Sequence, residues 1–186
     1  MSQKMDRRIQ RSRNLIKDTY LSLIHEKESI VIPITEIVNR CEINRSTFYV
    51  HFQTKEQLQK QIISDILDEL RLVIQHTKQE NLISFFDYKV QLAIFQYVGH
   101  HSFAFQTLLS YTDSFLNKLS IMLFDLFLFT TKDTIATPQI HATYYSSVIT
   151  GMICHWCIQT NFHYNSTKIA EEITQLFQTN LLLQKN

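Results

Sequence analysis

The chain has 186 residues, of which 45% are hydrophobic and 19% are charged. This composition is typical of a folded globular protein of one or two domains and excludes an intrinsically disordered chain. Two glycines and two prolines leave little turn chemistry for an all-β fold and favour long helices. Three cysteines, an odd number, argue against a disulfide framework and for a reducing compartment.

The formal net charge is only +1, but the charge is distributed unevenly along the chain. Residues 1–60 contain 11 Lys or Arg and 7 Asp or Glu, a balance of +4, whereas residues 61–186 contain 7 and 10, a balance of −3. A basic segment beside an acidic one is typical of a nucleic-acid-binding module attached to a domain with another role.

Neither a signal peptide nor a membrane span is predicted. The charged N-terminus is followed by no apolar stretch, which a signal peptide requires. The longest apolar run, residues 121–129, contains Asp125 and is shorter than the ~18 residues of a transmembrane helix. We therefore expect a cytoplasmic protein without a membrane partner.

The helical spacing of apolar residues predicts a first helix over residues 6–26. Four arginines cluster at its beginning: Arg7, Arg8, Arg11 and Arg13. They form either a solvated helix end or an arm for contact with nucleic-acid phosphates.

Residues 34–60 have the pattern of a helix-turn-helix. A short helix from Ile34 is followed by the turn Glu42-Ile43-Asn44 and by a second short helix from Arg45 to about His51. A second helix of this size fits the DNA major groove. Apolar residues are expected to hold the two helices together: Ile37, Val38, Cys41, Ile43, Phe48 and Phe52. The candidate DNA-contacting residues are Asn44, Arg45, Ser46, Thr47, Tyr49, His51 and Lys55.

The candidate residues offer chemistry that suits DNA. Arg45 can reach a guanine edge or a phosphate, while Ser46 and Thr47 are short enough to let the helix lie deep in the groove. Lys55 would meet phosphate at the start of the next helix.

The run from Asn44 to Leu58 resembles the signature of the TetR family of transcriptional regulators. It reads Asn-Arg-Ser-Thr-Phe-Tyr-x-His-Phe-x-x-Lys-Glu-x-Leu, close to the family run Ser-Arg-Gly-Thr-Phe-Tyr-x-His-Phe-x-x-Lys-Glu-x-Leu. The resemblance implies a homodimer that binds a palindromic DNA operator, with an effector-binding helical body and repression as the usual outcome. It also implies that Tyr49 and His51 contact phosphate or flank the groove. For both residues, packing within the small DNA-binding domain is the alternative.

Two positions depart from the family pattern. Glu42 stands in the turn where Gly is common, and a positive φ there would strain it. Pro33 stands where a capping Ser or Thr is usual, and it offers no capping oxygen. Both departures are expected to lower the stability of the motif.

Thr54 is predicted to cap a long helix with apolar residues in line at Leu58, Ile62, Ile66, Leu70 and Val73. Because no flexible linker interrupts it, such a helix could transmit movement from the C-terminal helical body to the N-terminal DNA-binding head. We therefore expect an all-α protein. A three-helix DNA-binding domain over residues 1–53 is expected to continue into the start of the helix from residue 54, and residues 54–186 are expected to form a helical effector-binding and dimerisation domain.

Five further helices are predicted: residues 82–99, 103–110, 112–129, 138–160 and one that begins at Ser166. Residues 81–130 hold 12 of the 22 aromatic residues, so this segment either lines an apolar effector cavity or forms ordinary core. The effector cavity is implied mainly by the family resemblance. Its candidate residues are Phe86, Phe95, Phe103, Phe115 and Phe124.

The helix over residues 138–160 is apolar on more than one side. We expect one side to face the core and another to face a second copy, although a fully buried helix would show the same pattern. Gly151 in the middle of this helix indicates a close backbone approach. The candidate dimer residues are Tyr145, Ile149, Gly151, Met152, Trp156, Ile173 and Phe177.

The motif Cys154-His155-x-Cys157 is the remaining constellation of chemical groups. A structural zinc site needs four ligands, and no second pair accompanies this one, so core packing is favoured over a redox or metal sensor. Phosphate-binding Gly loops and hydrolase or metalloprotease motifs are missing from the sequence. We expect no catalytic residues, no metal and no cofactor; a module that binds a partner protein through its head is the alternative to a DNA-binding regulator.

Overall fold

The computed structural model describes residues 2–81, 84–131 and 137–183. Within these ranges all regular structure is helical, which confirms the predicted all-α class. The helices are α1 (Ser2–Lys27), α2 (Ile34–Arg40), α3 (Arg45–His51), α4 (Lys55–Asn81), α5 (Tyr88–His100), α6 (Ser102–Tyr111), α7 (Asp113–Thr131), α8 (Pro138–Cys154) and α9 (Ser166–Leu183). A π-helical turn, His155–Gln159, directly follows α8.

The chain divides into two compact units. Unit 1 comprises residues 1–65 and 110–112, and unit 2 comprises residues 66–109 and 113–186. The division falls within α4, the helix into which the predicted DNA-binding domain was expected to continue. Helix α4 therefore contributes its first residues to unit 1 and the remainder to unit 2.

Unit 1 is built on a small apolar core between α1, α2, α3 and the start of α4. Its fully buried side chains include Ile16, Tyr20, Ile37, Phe48 and Leu58. Burying an apolar side chain of this size stabilises the fold by about 1.5–3 kcal/mol. The three-helix head therefore has a core of its own, as the apolar spacing of the sequence predicts.

Among the side chains that the structure describes, three ion pairs connect α1 to its neighbours in unit 1. Lys27 pairs with Glu36 at 2.7 Å, and Arg40 pairs with Glu26, so both join α1 to α2. Lys17 pairs with Asp65 of α4. The first two pairs are largely exposed and contribute at most about 1 kcal/mol each, so burial of the apolar core dominates the stability of the unit.

Unit 2 contains an aromatic core. The ring of Tyr145 is stacked on that of Phe127 with centroids 5.0 Å apart, and Phe85 lies 5.3 Å from both. Phe177 of α9 lies 5.9 Å from Tyr145. Such pairs contribute about 0.5–1.5 kcal/mol beyond the burial of their area, and they hold α7, α8 and α9 together.

The helix boundaries of unit 2 follow local signals. Helix α5 begins at Tyr88, where the Asp87 side chain accepts a hydrogen bond from the Lys89 amide at 2.9 Å; the predicted start, Leu82, lies outside the described residues. Pro138 occupies the first turn of α8, as predicted. No helix in the described part of the chain has the length and apolar character needed to cross a membrane.

Candidate nucleic-acid interface

The turn between α2 and α3 is a Schellman motif. The Ile43 amide donates to the Val38 carbonyl at 3.1 Å, and the Glu42 amide donates to the Asn39 carbonyl at 3.2 Å. This motif places one residue in the left-handed region, usually Gly. Here that residue is Glu42, with φ 53°, so the strain expected from the sequence is present.

The start of α2 has the structure that Pro33 predicts. Pro33 is the N-cap, with φ −65° and ψ 141°, and its side chain makes no capping hydrogen bond. Its carbonyl still accepts hydrogen bonds from the Glu36 and Ile37 amides at 3.0 and 3.3 Å. Helix α2 therefore lacks the side-chain cap that a Ser or Thr would add.

Helix α3 buries one side and exposes the other. Phe48 and Phe52 are buried, which agrees with their assignment to the core. Arg45, Ser46 and Tyr49 are exposed. The candidate contact residues therefore lie on an open surface above an apolar anchor, as a recognition helix requires.

Arg45 and Tyr49 form a pair one turn apart on this surface. The Arg45 guanidinium donates a hydrogen bond to the Tyr49 hydroxyl at 3.3 Å and lies 5.7 Å from the ring centroid. Tyr49 remains 42% exposed, so packing within the head accounts for only part of its surface. This contact holds the positive charge of Arg45 on the exposed side of α3.

Asn44 and Thr47 lie at the beginning of α3. Asn44 is the exposed N-cap of the helix, but its side chain makes no capping hydrogen bond. Thr47 is half-buried. The side chain of Asn44 therefore does not cap the helix. The Thr47 side chain is less exposed than that of the neighbouring Ser46.

His51 lies half-buried at the end of α3. Its ring is 6.3 Å from that of Phe52. Burial lowers the pKa of the His51 imidazole, and the nearby Arg13 guanidinium lowers it further. Arg13 itself lies 5.4 Å above the Phe52 ring, so one residue of the predicted arginine cluster is held beside the helix-turn-helix.

The start of α4 is capped by side chains. The Thr54 hydroxyl accepts from the Gln57 amide at 3.1 Å, and the Gln57 side chain accepts from the Gln53 amide at 2.6 Å. Hydrogen bonds from its own backbone amide and from Thr54 lower the pKa of the Glu56 carboxyl. Lys55 lies half-exposed beside these groups, where it adds a cation to the positive end of the helix dipole.

Val50 was not identified from the sequence. It is 77% exposed, on the open side of α3 next to Tyr49. The sequence could have identified it, because a residue between the core residues Phe48 and Phe52 of a helix faces outward. An exposed valine on a recognition helix can contact a thymine methyl group.

The five aromatic candidates for an effector cavity differ in their burial. Phe95 and Phe115 are completely buried, Phe86 and Phe124 are half-buried, and Phe103 is 45% exposed. Phe95 packs against Trp156 with centroids 5.6 Å apart, and Phe115 packs against Phe105 at 5.4 Å. These two residues belong to the core of unit 2, which is the alternative left open by the sequence.

Three open cavities on the described part of unit 2 are lined by other residues. One of about 560 Å³ lies between α7 and α8 and includes Thr150 and Gly151. One of about 370 Å³ lies between α8 and α9 and includes Met152 and Ile169. Another, of about 480 Å³, is bordered by Gly99 and Trp156.

The seven candidate dimer residues separate into two groups. Five are buried inside the chain: Tyr145, Ile149, Trp156, Ile173 and Phe177. This differs from the prediction, because their side chains fill the core of unit 2 and present no surface to a second copy. Gly151 is exposed and Met152 is half-buried. The outer side of α8 and α9 instead exposes Ile140, Tyr144 and Leu176.

The two cysteines near the end of α8 lie in different environments. Cys154 is partly exposed, whereas Cys157 is buried, and burial together with the neighbouring Cys154 raises the pKa of the Cys157 thiol to about 12. Its thiol is therefore protonated and unreactive near neutral pH. No three His, Cys, Asp or Glu side chains among the described residues come together to hold a metal ion.

Comparison with known sequences gives one partial match. No protein-family model matches the chain. The chain is 32% identical over 74 residues to the uncharacterized HTH-type transcriptional regulator YxbF of Bacillus subtilis (strain 168). The match covers 37% of this chain and 20% of that protein, so the chain spans only about a fifth of the length of this curated relative.

Two solved structures share the architecture over almost their whole length. The dihydroxyacetone kinase operon activator DhaS has a TM-score of 0.66 at 17% identity, with 92% of this chain and 97% of DhaS covered. A TetR transcriptional regulator from Streptococcus agalactiae 2603V has a TM-score of 0.65 at 19% identity, with 95% and 98% covered. The chain therefore has the fold of the TetR-type transcriptional regulators.

Proposed function

We propose that the protein is a DNA-binding transcriptional regulator that inserts α3 into the major groove of an operator. The observation that carries the proposal is the open side of α3, where Arg45, Ser46 and Tyr49 are exposed above the buried Phe48 and Phe52. The TetR-type fold and the partial match to YxbF support it. The basic balance of residues 1–60 supports it independently.

The candidate residues take different roles in this proposal. Arg45 and Ser46 meet base edges from the first turn of α3, with Asn44 and Thr47 beside them. Tyr49, His51 and Lys55 contact phosphates, which fix the register of the helix on the duplex. Because Arg45 is already ordered over the Tyr49 ring, less side-chain freedom is lost when the DNA binds.

Two copies act together in the proposed regulator. The dimer forms through the outer sides of α8 and α9, where Tyr144, Gly151, Met152 and Leu176 reach the surface. The two α3 helices then read half-sites about one helical turn apart in a palindromic operator. A small-molecule effector of unit 2 changes the operator affinity and releases repression, and α4 carries the change because it belongs to both units.

The salt dependence of DNA binding tests the proposal. We expect affinity for the operator to fall steeply with salt, because each phosphate contact contributes about −0.9 to the slope of log affinity against log salt concentration. Lys55→Ala removes one proposed phosphate contact from each head and should make the slope shallower by about 1 per head. Arg45→Ala should weaken binding and relax sequence preference.

Lys118→Ala in α7 is the matched control, because it removes a lysine from unit 2 without altering the head. It should leave both affinity and slope unchanged. Binding that is insensitive to salt and to Arg45→Ala and Lys55→Ala would instead indicate that the head binds a partner protein.

A further inference from the structure

We propose that Arg13 of α1 and His51 of α3 together bind one phosphate of the DNA backbone, and that His51 takes up a proton when this phosphate binds. The inference rests on the proposed function of α3, because it assigns a further residue and a pH dependence to the same interface. Both residues belong to unit 1 and are half-buried. The ligand is a phosphodiester group of duplex DNA, which carries no sequence information.

The ring of Phe52 brings the two side chains together. The Arg13 guanidinium carbon lies 5.4 Å from the centroid of this ring, and the His51 ring centroid lies 6.3 Å from it. Phe52 is only 1% exposed, so its ring is fixed in the core of the unit. A guanidinium over an aromatic face is attracted to it. The ring therefore holds one arginine of the α1 cluster beside the last residue of α3.

Neither side chain has an anionic partner in the part of the chain that the structure describes. Lys17, Lys27 and Arg40 of the same unit each pair with a carboxylate, whereas Arg13 pairs with none of the described carboxylates, and His51 makes no hydrogen bond to a described residue. Two groups that can both carry positive charge therefore lie beside the same ring. An anion bound by both would remove their repulsion.

His51 lies on a side of α3 that also carries candidate base contacts. At 3.6 residues per turn, Asn44, Thr47 and His51 fall on one line along the helix. A recognition helix contacts base edges mainly through its N-terminal residues, so its last residue lies towards the edge of the groove, where the backbone runs. A phosphate is therefore the DNA group that we expect beside His51 and Arg13.

The protonation of His51 should respond to this phosphate. Burial lowers the pKa of the His51 imidazole, and the Arg13 charge from α1 lowers it further; Lys55 and Glu56, the charged groups that begin α4, do not contribute to this shift. The free protein therefore holds a neutral imidazole near neutral pH. A neighbouring negative charge raises the pKa of an imidazole. Because the DNA-bound state then binds more protons, affinity for DNA should rise as the pH falls.

Fluorescence anisotropy with a labelled mixed-sequence duplex of about 30 base pairs, three helical turns, tests the salt dependence on the purified full-length protein. Arg13→Gln removes the guanidinium and should make the slope of log affinity against log salt concentration shallower by about 0.9 per head. Arg13→Lys keeps the charge and should retain most of the slope. Arg40→Gln is the matched control, because it removes one positive charge from the same unit but from a guanidinium already paired with Glu26. Its slope should equal that of the wild type.

The pH dependence of the same titration gives a second readout. As the pH falls from 7.5 to 6, the affinity of the wild type for the duplex should rise about threefold more than that of His51→Gln, which is the gain for a pKa raised by about half a unit. Arg13→Gln should reduce this difference. The comparison with His51→Gln removes the contribution of the other histidines.

An unchanged salt slope in a folded Arg13→Gln variant overturns the proposal, and so does a His51→Gln variant with the pH dependence of the wild type. Circular dichroism identifies an Arg13→Gln variant that fails to fold, in which case His51→Gln decides. Inorganic phosphate that displaces the duplex from the wild type but not from Arg13→Gln, at equal ionic strength, would assign the site to free phosphate and also overturn it. A wild type that binds no duplex overturns the proposed function as well, whereas unchanged variants of a protein that binds DNA overturn this inference alone.

Discussion

Replacing Glu42 by Gly should stabilise the DNA-binding head. Glu42 adopts φ 53° in the Schellman motif that ends α2, and two hydrogen bonds to the carbonyls of Val38 and Asn39 hold the chain in that conformation. A left-handed conformation costs a residue with a Cβ about 1–2 kcal/mol. Glycine avoids this cost but loses about 0.5–1 kcal/mol more chain entropy on folding. The net gain in the free energy of unfolding is therefore about 0.5–1 kcal/mol.

Urea unfolding followed by far-ultraviolet circular dichroism measures this gain. The only tryptophan, Trp156, lies in unit 2, so its fluorescence reports the other unit and should not change. Glu42→Ala is the matched control, because it removes the carboxylate but keeps the Cβ. A Glu42→Ala variant as stable as Glu42→Gly, or a Glu42→Gly variant less stable than the wild type, would refute backbone strain at this position.

Three further predictions concern α3 and unit 2. Val50→Ser should leave the midpoint of thermal unfolding unchanged, because Val50 is 77% exposed. The same change should reduce discrimination between thymine and uracil in a bound operator by at least threefold, measured by titration; equal discrimination would exclude a methyl contact by Val50. Because burial and Arg13 lower the pKa of His51 in the folded state, the unfolded state binds more protons as pH falls below about 6.5. The stability that this residue contributes above that pH should be lost as the pH falls from 7 to 5. Denaturation curves of His51→Gln should show a smaller loss over the same range, and equal losses would contradict a lowered pKa of His51. Asp87→Ala removes the side-chain acceptor for the Lys89 amide at the start of α5 and should lower the free energy of unfolding by about 1 kcal/mol. Asp87→Asn keeps an acceptor oxygen and should retain most of that stability.

The sequence predicted the helix-turn-helix closely because its signals are local. Apolar spacing identified Phe48 and Phe52 as core, the turn residue Glu42 pointed to strain, and Thr54 predicted the cap of α4. Each of these features depends on a few neighbouring residues and on the 3.6-residue period of a helix. Val50 was not predicted as a surface residue of α3, because an apolar residue in a short helix is ordinarily assigned to the core.

The site residues of unit 2 were predicted less well because they depend on contacts between distant segments. Two apolar lines on α8 fit both a dimer surface and an internal core, and the structure shows that Tyr145 and Ile149 are internal. Aromatic density between residues 81 and 130 likewise could not distinguish a cavity from the packed rings of Phe95 and Phe115. The cavity between α7 and α8 joins residues about 30 positions apart in sequence, so no short motif predicts it.

Selection of bound sequences from a pool of random double-stranded DNA tests the central claim most directly. The wild-type protein should enrich an inverted repeat whose half-sites are centred about 10 base pairs apart, and Arg45→Ala should lose that enrichment while Lys118→Ala retains it. Recovery of no common sequence, or of the same sequence by the Arg45→Ala variant, would contradict the account of α3 as a recognition helix.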